Sequence, residues 1–174
     1  MWRARPGQRF ERVICGGEHL DDLERAFDAA KYRELPARPV LDVSLPEGGR
    51  PVLSILVSAV PYDLREGWTA EAKGKLLDSV LALLDADAPG IRGQVVASEV
   101  LSPVDLQSEL GTTGGSLHHV ERALDQMVFM RPARPFARYA TPVDGLFVGS
   151  SGCHPGPGVT LAPGVFAARA AARR

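Results

Sequence analysis

The chain has 174 residues with a formal net charge of −1, 45% hydrophobic and 24% charged residues, the composition of a globular protein with one sizeable core. The near-zero charge gives no electrostatic case for nucleic acid, and no apolar run approaches the ~20 residues of a membrane-spanning helix. Two cysteines far apart, Cys15 and Cys153, make a disulfide framework improbable and favour a reducing compartment.

The basic first ten residues carry no apolar core of the kind a secretory leader needs, so a cytoplasmic location is expected. Residues 10–16 form a short apolar stretch that reads as a strand. Residues 19–31 follow as a helix, with Leu20, Leu23, Phe27 and Ala30 on one face and acids near its start. Pro36 and Pro39 end that unit. Residues 40–45 alternate, Val40, Asp42 and Ser44 against Leu41, Val43 and Leu45, as a half-buried strand does. Residues 46–51 contain two prolines and two glycines and read as a turn. Residues 52–60 are strongly apolar and β-branched, which predicts a central strand paired antiparallel with the one before it.

Thr69 is placed to cap a helix reaching about Ala88, with Leu76, Leu77, Val80, Leu81 and Leu84 as its buried stripe and Pro89-Gly90 as its stop. Residues 93–101 are expected to be another strand. Ser102-Pro-Val-Asp105 predicts a short helix with a capping box, proline standing at the first helical position. Residues 111–115 are a glycine-containing loop, and 118–130 fit either a helix or an irregular segment with apolar anchors. Residues 131–142 hold three prolines and are expected to be mostly extended. At the end come a short apolar strand, Gly145-Leu-Phe-Val-Gly149, a glycine-rich loop through Gly158, and an alanine-rich helix. Such a unit brings backbone amides and a helix N-terminus close to a polar or anionic cofactor.

From Leu101 onward several motifs fall in a familiar order: Leu101-Ser-Pro-Val-Asp-Leu106, Gly111-Thr-Thr-Gly-Gly115, His119, Asp125-Gln126, Arg131-Pro132, Tyr139, Thr141-Pro142, Gly145-Leu-Phe-Val-Gly149 and His154-Pro-Gly-Pro-Gly158. In these the chain resembles the C-terminal part of the phytoene-desaturase-like, NAD(P)/FAD-dependent oxidoreductases. A looser similarity upstream rests on the acidic helix, Val60-Pro61-Tyr62 and Trp68, so the resemblance covers about residues 10–172.

The resemblance implies an α+β fold. Residues 10–142 would form a substrate-domain-like region, an antiparallel or mixed sheet with helices. Residues 143–174 would supply the closing strand and helix of an FAD-binding Rossmann-like domain. Members of the family open with a GxGxxG loop that grips the ADP half of FAD, and no such motif occurs in this sequence.

The implied role is therefore a part or subunit of an FAD-dependent desaturase or dehydrogenase acting on an apolar small molecule. It would need a separate N-terminal FAD-binding polypeptide. The alternative is a non-enzymatic remnant or interaction module that keeps the fold, self-associates and has lost the flavin. The family's apolar substrates imply a peripheral membrane contact. Carried over from the family, the FAD contacts would be Gly149, Ser150, Gly152, His154, Gly156, Gly158, Val159 and Thr160. Pro157 stands where a third glycine is usual, and Leu161 where a small residue is.

No catalytic acid or base is named firmly. His119, which matches a family histidine, and His154 are candidates. His118-His119 without a carboxylate at ligand spacing reads as structural more readily than as a metal site, and Cys153-His154 lacks the further ligands zinc needs. Asp125, Gln126 and Arg131 suggest an internal polar network.

Overall fold

A computed structural model of the chain describes residues 12–44, 52–118, 123–156, 158 and 160–173. The chain divides into two compact units, Met1–Asp105 and Leu106–Arg174, the division falling inside a short helix.

The first unit is built on a three-stranded antiparallel sheet in the order β1 (Arg12–Cys15), β2 (Val40–Ser44), β3 (Ser54–Ser58). Register is set by the alternation the sequence shows. Leu41 pairs with Cys15 and Val57, and Val43 with Ile55, which puts these side chains on one face. Against that face lies helix α2 (Ala70–Asp87). Cys15, Leu41, Val43, Val80 and Leu84 form the buried centre, with Leu53, Ile55, Val57, Leu81, Leu83 and Ile91 around it. Leu76, Val80 and Leu84 recur at four-residue spacing and are buried, and Leu81 packs at the edge of the core, so the expected stripe of α2 packs except for the half-buried Leu77. Thr69 Oγ1 accepts a hydrogen bond from Ala72 N at 3.2 Å, capping the helix as expected.

Three expectations are corrected. The apolar strand within 52–60 is an edge strand, not the central one: β2 is hydrogen-bonded on both sides, and Leu56 on β3 stays exposed. Helix α1 (Leu20–Lys31) buries Ala26, while Leu20, Leu23 and Phe27 remain exposed at 78%, 44% and 57%. A small residue lets the helix come close to the sheet, whereas the large apolar side chains stay largely at the surface, where the Lys31 ammonium lies 5.0 Å from the Phe27 ring centre. Residues 93–101 form no strand. Arg92–Gln94 is a single 3-10 turn, anchored where Asp85 accepts from the amides of Gly90 and Arg92, and residues 95–101 have no regular structure.

The loops of this unit are held by polar ties. Trp68 Nε1 donates to the carbonyls of Pro61 and Tyr62, and Arg33 donates to the carbonyl and carboxylate of Asp63. Helix α3 (Pro103–Leu110) starts with the expected capping box. The Asp105 carboxylate accepts from Ser102 N (2.7 Å) and Ser102 Oγ (2.6 Å), Ser102 Oγ accepts from Asp105 N, and Lys73 on α2 pairs with Asp105 at 2.6 Å. The Lys73 ammonium and the Ser102 donors hold the Asp105 carboxyl down at about 2.

Truncating Leu41, which is fully buried, is expected to destabilise by about 2–5 kcal/mol, and Thr69→Ala by about 1 kcal/mol, in chemical denaturation. For Asp105 the folded pKa lies below the unfolded value of about 3.9, so its stabilisation is complete above roughly pH 4 and is lost as pH falls toward about 2. Asp105→Asn should therefore lower the thermal midpoint most at neutral pH, with the gap to wild type closing across that acid window.

Candidate functional site

Beyond the end of α3, the described residues of the second unit form short turns around the glycine-rich loop and a helix, α4 (Ala162–Ala171). Residues 139–148 fold back on themselves. Val148 N donates to Tyr139 O (2.8 Å), Thr141 N to Leu146 O (3.1 Å), and Ala140 and Phe147 form a single antiparallel bridge. The expected strand at 145–149 is thus one bridge of a tight hairpin, with Gly145 at φ +76° and Leu146 half exposed. A parallel sheet does not form here among the described residues. Residues 131–142, expected to be extended, contain a 3-10 turn, Arg134–Phe136. The segment 118–130, for which two readings stood open, is irregular where described, with 3-10 turns at Leu124–Gln126 and Val128–Met130.

The loop after the hairpin is shaped by its own backbone. Ser150 Oγ accepts from Gly152 N (3.2 Å), and Cys153 N donates to Ser150 O (2.9 Å), closing a turn that tucks Cys153 inside at 2% exposure. Gly149 lies against α4. A Cβ at this position would stand 2.9 Å from Ala167 Cβ and 3.2 Å from Gly164 Cα, so the missing side chain is what lets the loop and helix touch. Thr160 Oγ1 accepts from Ala162 N at 3.3 Å, and Pro163 has no N–H, so two of the first three helical positions offer no free amide to a ligand. Gly149, Ser151, Gly158, Leu161, Pro163 and Gly164 line a cleft of about 200 Å³ at this helix start.

Beneath the loop lies Arg131, 2% exposed. Its Nη2 donates to Ser151 O at 3.1 Å and its Nη1 to Gln126 O at 3.5 Å. A Cβ on Gly156 would come within 3.6 Å of its Nε. The polar network expected of Asp125, Gln126 and Arg131 is therefore built differently: the arginine binds backbone carbonyls, and Asp125 is exposed.

Tyr139 completes the support. Its hydroxyl donates to His154 O at 3.0 Å, and its ring lies 5.9 Å from that of Phe166 on α4. Burial, with the nearby Cys153 thiol as a second cause, pushes the Tyr139 phenol up. Sequence reading placed Tyr139 only in a motif and gave it no role. An isolated tyrosine fifteen residues from its acceptor leaves no periodic signal.

Of the residues carried over as flavin contacts, Gly149, Ser150, Gly152, His154, Gly156, Gly158 and Thr160 lie along this one loop, but only Gly149 and Gly158 line the cleft. Val159 and His119 lie outside the described residues, and His118 is exposed. Among the described residues no group of three His, Cys, Asp or Glu side chains is placed to hold a metal, and no helix is long and apolar enough to cross a membrane.

The chain is 35% identical over 156 residues to "Pyridine nucleotide-disulfide oxidoreductase domain-containing protein 2" of Rattus norvegicus, a match covering 84% of the chain and 27% of that protein. It is 34% identical over 163 residues to "Phytoene desaturase (lycopene-forming)" of Pantoea ananas, covering 92% of the chain and 30% of the relative. A phytoene desaturase of the same name from Pseudescherichia vulneris matches at 31% over 171 residues, 92% of the chain and 32% of the relative. The chain is homologous to phytoene-desaturase-like oxidoreductases over most of its length. It spans less than a third of the length of these relatives. No family model and no solved structure matches it.

Gly149→Ala should destabilise the protein by about 1–3 kcal/mol, because the new methyl meets helix backbone and cannot be accommodated by a rotamer change. Adding Ala167→Gly removes the 2.9 Å contact and should recover part of the loss in thermal unfolding. An unchanged midpoint for the single variant would show that the loop and helix do not touch.

Proposed function

We propose that this chain is the carboxy-terminal part of an FAD-dependent oxidoreductase of the desaturase or dehydrogenase type, acting on an apolar substrate. Residues 10–142 would serve the substrate side, and the loop and helix of residues 143–174 would form one wall of the flavin site. The part that grips the nucleotide is supplied by polypeptide outside this sequence, as a separate subunit or a preceding segment. The homology to oxidoreductases carries this reading, together with the buried Arg131 held under the glycine loop.

The residues present suit one edge of a flat, polar ring system and not a whole pocket. The cleft of about 200 Å³ is smaller than the several hundred Å³ of a site that encloses a small molecule. Its lining of glycines, Pro163 and Leu161 leaves backbone accessible. When bound, FAD supplies the hydride-accepting chemistry. The chain's own residues would do the positioning. Arg131 fixes the Ser151 carbonyl, Tyr139 fixes the His154 carbonyl, and the Gly149–Ala167 contact fixes the loop against α4. The Arg131 charge, buried in low dielectric, also favours added negative charge at the loop surface.

Exposed apolar side chains support further polypeptide covering this chain. Leu20, Phe27, Ile14 and Leu56 in the first unit, and Leu124 and Leu146 in the second, all stand in solvent. The second reading is a module that has kept the fold and does without flavin. The Gly149 contact favours it in one respect, since packing against α4 already accounts for that glycine.

Co-expression separates the two. The chain is produced alone and together with a polypeptide carrying the GxGxxG part of a relative, and flavin absorbance is measured after gel filtration. A yellow complex containing both chains, with flavin lost in Gly158→Val but assembly kept, is the expected outcome. A colourless, monodisperse self-assembly that ignores the GxGxxG partner would establish the flavin-free module instead.

A further inference from the structure

The charge of the chain is unevenly spread. From Gln126 to the end there are six arginines and one acidic residue, Asp144, although the whole chain carries −1. Three of these arginines fall within residues 131–138. Arg131 is buried under the loop, whereas Arg134 and Arg138 are exposed and have no ion pair among the described residues.

Both exposed arginines line a second cleft, of about 470 Å³, together with Val128, Phe129, Pro135, Ala137 and His154. This lining shares no residue with the cleft at the start of α4, and among the described residues no carboxylate lies in it. The Arg134 guanidinium sits 5.8 Å from the centre of the Phe129 ring, which orients it, and its donors bond to no other described residue. The backbone holding the walls is strained at two non-glycine positions. Val128, β-branched, has φ +52°, and Tyr139, next to Arg138, has φ +69°. Strain of this kind persists only where the surroundings over-determine it, and it collects at ligand-binding positions.

We propose that this cleft is a binding site for a phosphate or pyrophosphate group carried on a ligand with an apolar or aromatic body. Two guanidinium forks present charge +2 and many donors, which match a multi-oxygen dianion better than a single carboxylate. His154 adds a third nitrogen-bearing head. Val128, Phe129 and Pro135 provide the apolar wall, and the volume lies within the range of sites that hold a small molecule and exceeds what a phosphate alone would fill. The site is a different cleft from the one at the start of α4 and shares only His154 with the residues carried over as flavin contacts, so pyrophosphate binding by the chain alone is read separately from flavin binding.

The test is calorimetric titration of the full chain with inorganic pyrophosphate, with backbone amide shifts recorded by NMR. Saturable binding is expected, with shifts concentrated at Phe129, Arg138 and His154. Arg134→Ala/Arg138→Ala should weaken it by about tenfold or more. The charge-matched control Arg169→Ala/Arg173→Ala, on and just beyond α4, should change it by less than about threefold, the residue of long-range attraction. Circular dichroism of both double variants verifies folding.

A parallel arm measures co-sedimentation with phosphatidylcholine vesicles with and without phosphatidic acid. Binding of pyrophosphate, or of phosphatidic acid vesicles alone, that depends on Arg134 and Arg138 upholds the site and identifies a soluble ligand or a lipid headgroup as the source. Equal weakening by both double variants, or binding of neither probe, overturns it.

Discussion

The glycine-rich loop of the second unit rests on one buried charge. Arg131 lies almost wholly out of solvent, and its guanidinium is held by backbone carbonyls at Ser151 and Gln126. Burying a guanidinium is costly unless its donors are satisfied. The loop that supplies Ser151 must therefore sit where the arginine needs an acceptor, and this constraint fixes a segment too rich in glycine to fix itself. Gly156, next to the Arg131 Nε, is needed for its backbone instead: its φ is +115°, a conformation that side chains rarely adopt.

Around that charge the other contacts act as limits on the loop's remaining freedom. Tyr139 holds the His154 carbonyl from one side and stacks toward Phe166, while Gly149 lets the loop lie directly on α4. A loop with these three anchors presents a defined backbone surface, with Cys153 and Ala167 as buried apolar side chains beside it among the described residues. The first unit works by the opposite principle. Its sheet and α2 bury Leu41, Val43, Val80 and Leu84 against one another, and its polar ties, such as Trp68 to the 61–62 carbonyls, only dress the edges. The first unit is thus held chiefly by apolar burial, while the glycine-rich loop of the second is held chiefly by side chains bonded to its backbone carbonyls. Cys15 illustrates the first environment: burial, with Asp87 as a hydrogen-bond and charge partner, drives its thiol up to about 11 and leaves it an inert packing residue.

Much of this was legible beforehand wherever local chemistry decides structure. The Thr69 cap, the Leu76/Val80/Leu84 stripe, the Ser102–Asp105 box and the Leu41/Val43 alternation each follow from interactions spanning a few residues, and each is found as expected. The misreadings share a different cause. The face of α1, the edge position of β3 and the irregular stretch 95–101 depend on what neighbouring segments offer, and periodicity cannot report that. The apolar run at 145–149 has the composition of a buried strand, yet its hydrogen bonds close a hairpin onto 139–141. Of the loop residues carried over from the family resemblance, the structure brings seven together along one segment and puts just Gly149 and Gly158 on the cleft.

By itself, then, the sequence determined the kinship to phytoene-desaturase-like oxidoreductases and the start, stop and buried stripe of the longest helix, because motif order and i to i+4 contacts are written along the chain. Only the tertiary structure decided that Arg131 is buried, that Tyr139 supports the loop and that Arg134, Arg138 and His154 share a cleft. Those relations join residues up to about twenty positions apart through an irregular backbone, and no repeat in the chain encodes where such a backbone turns.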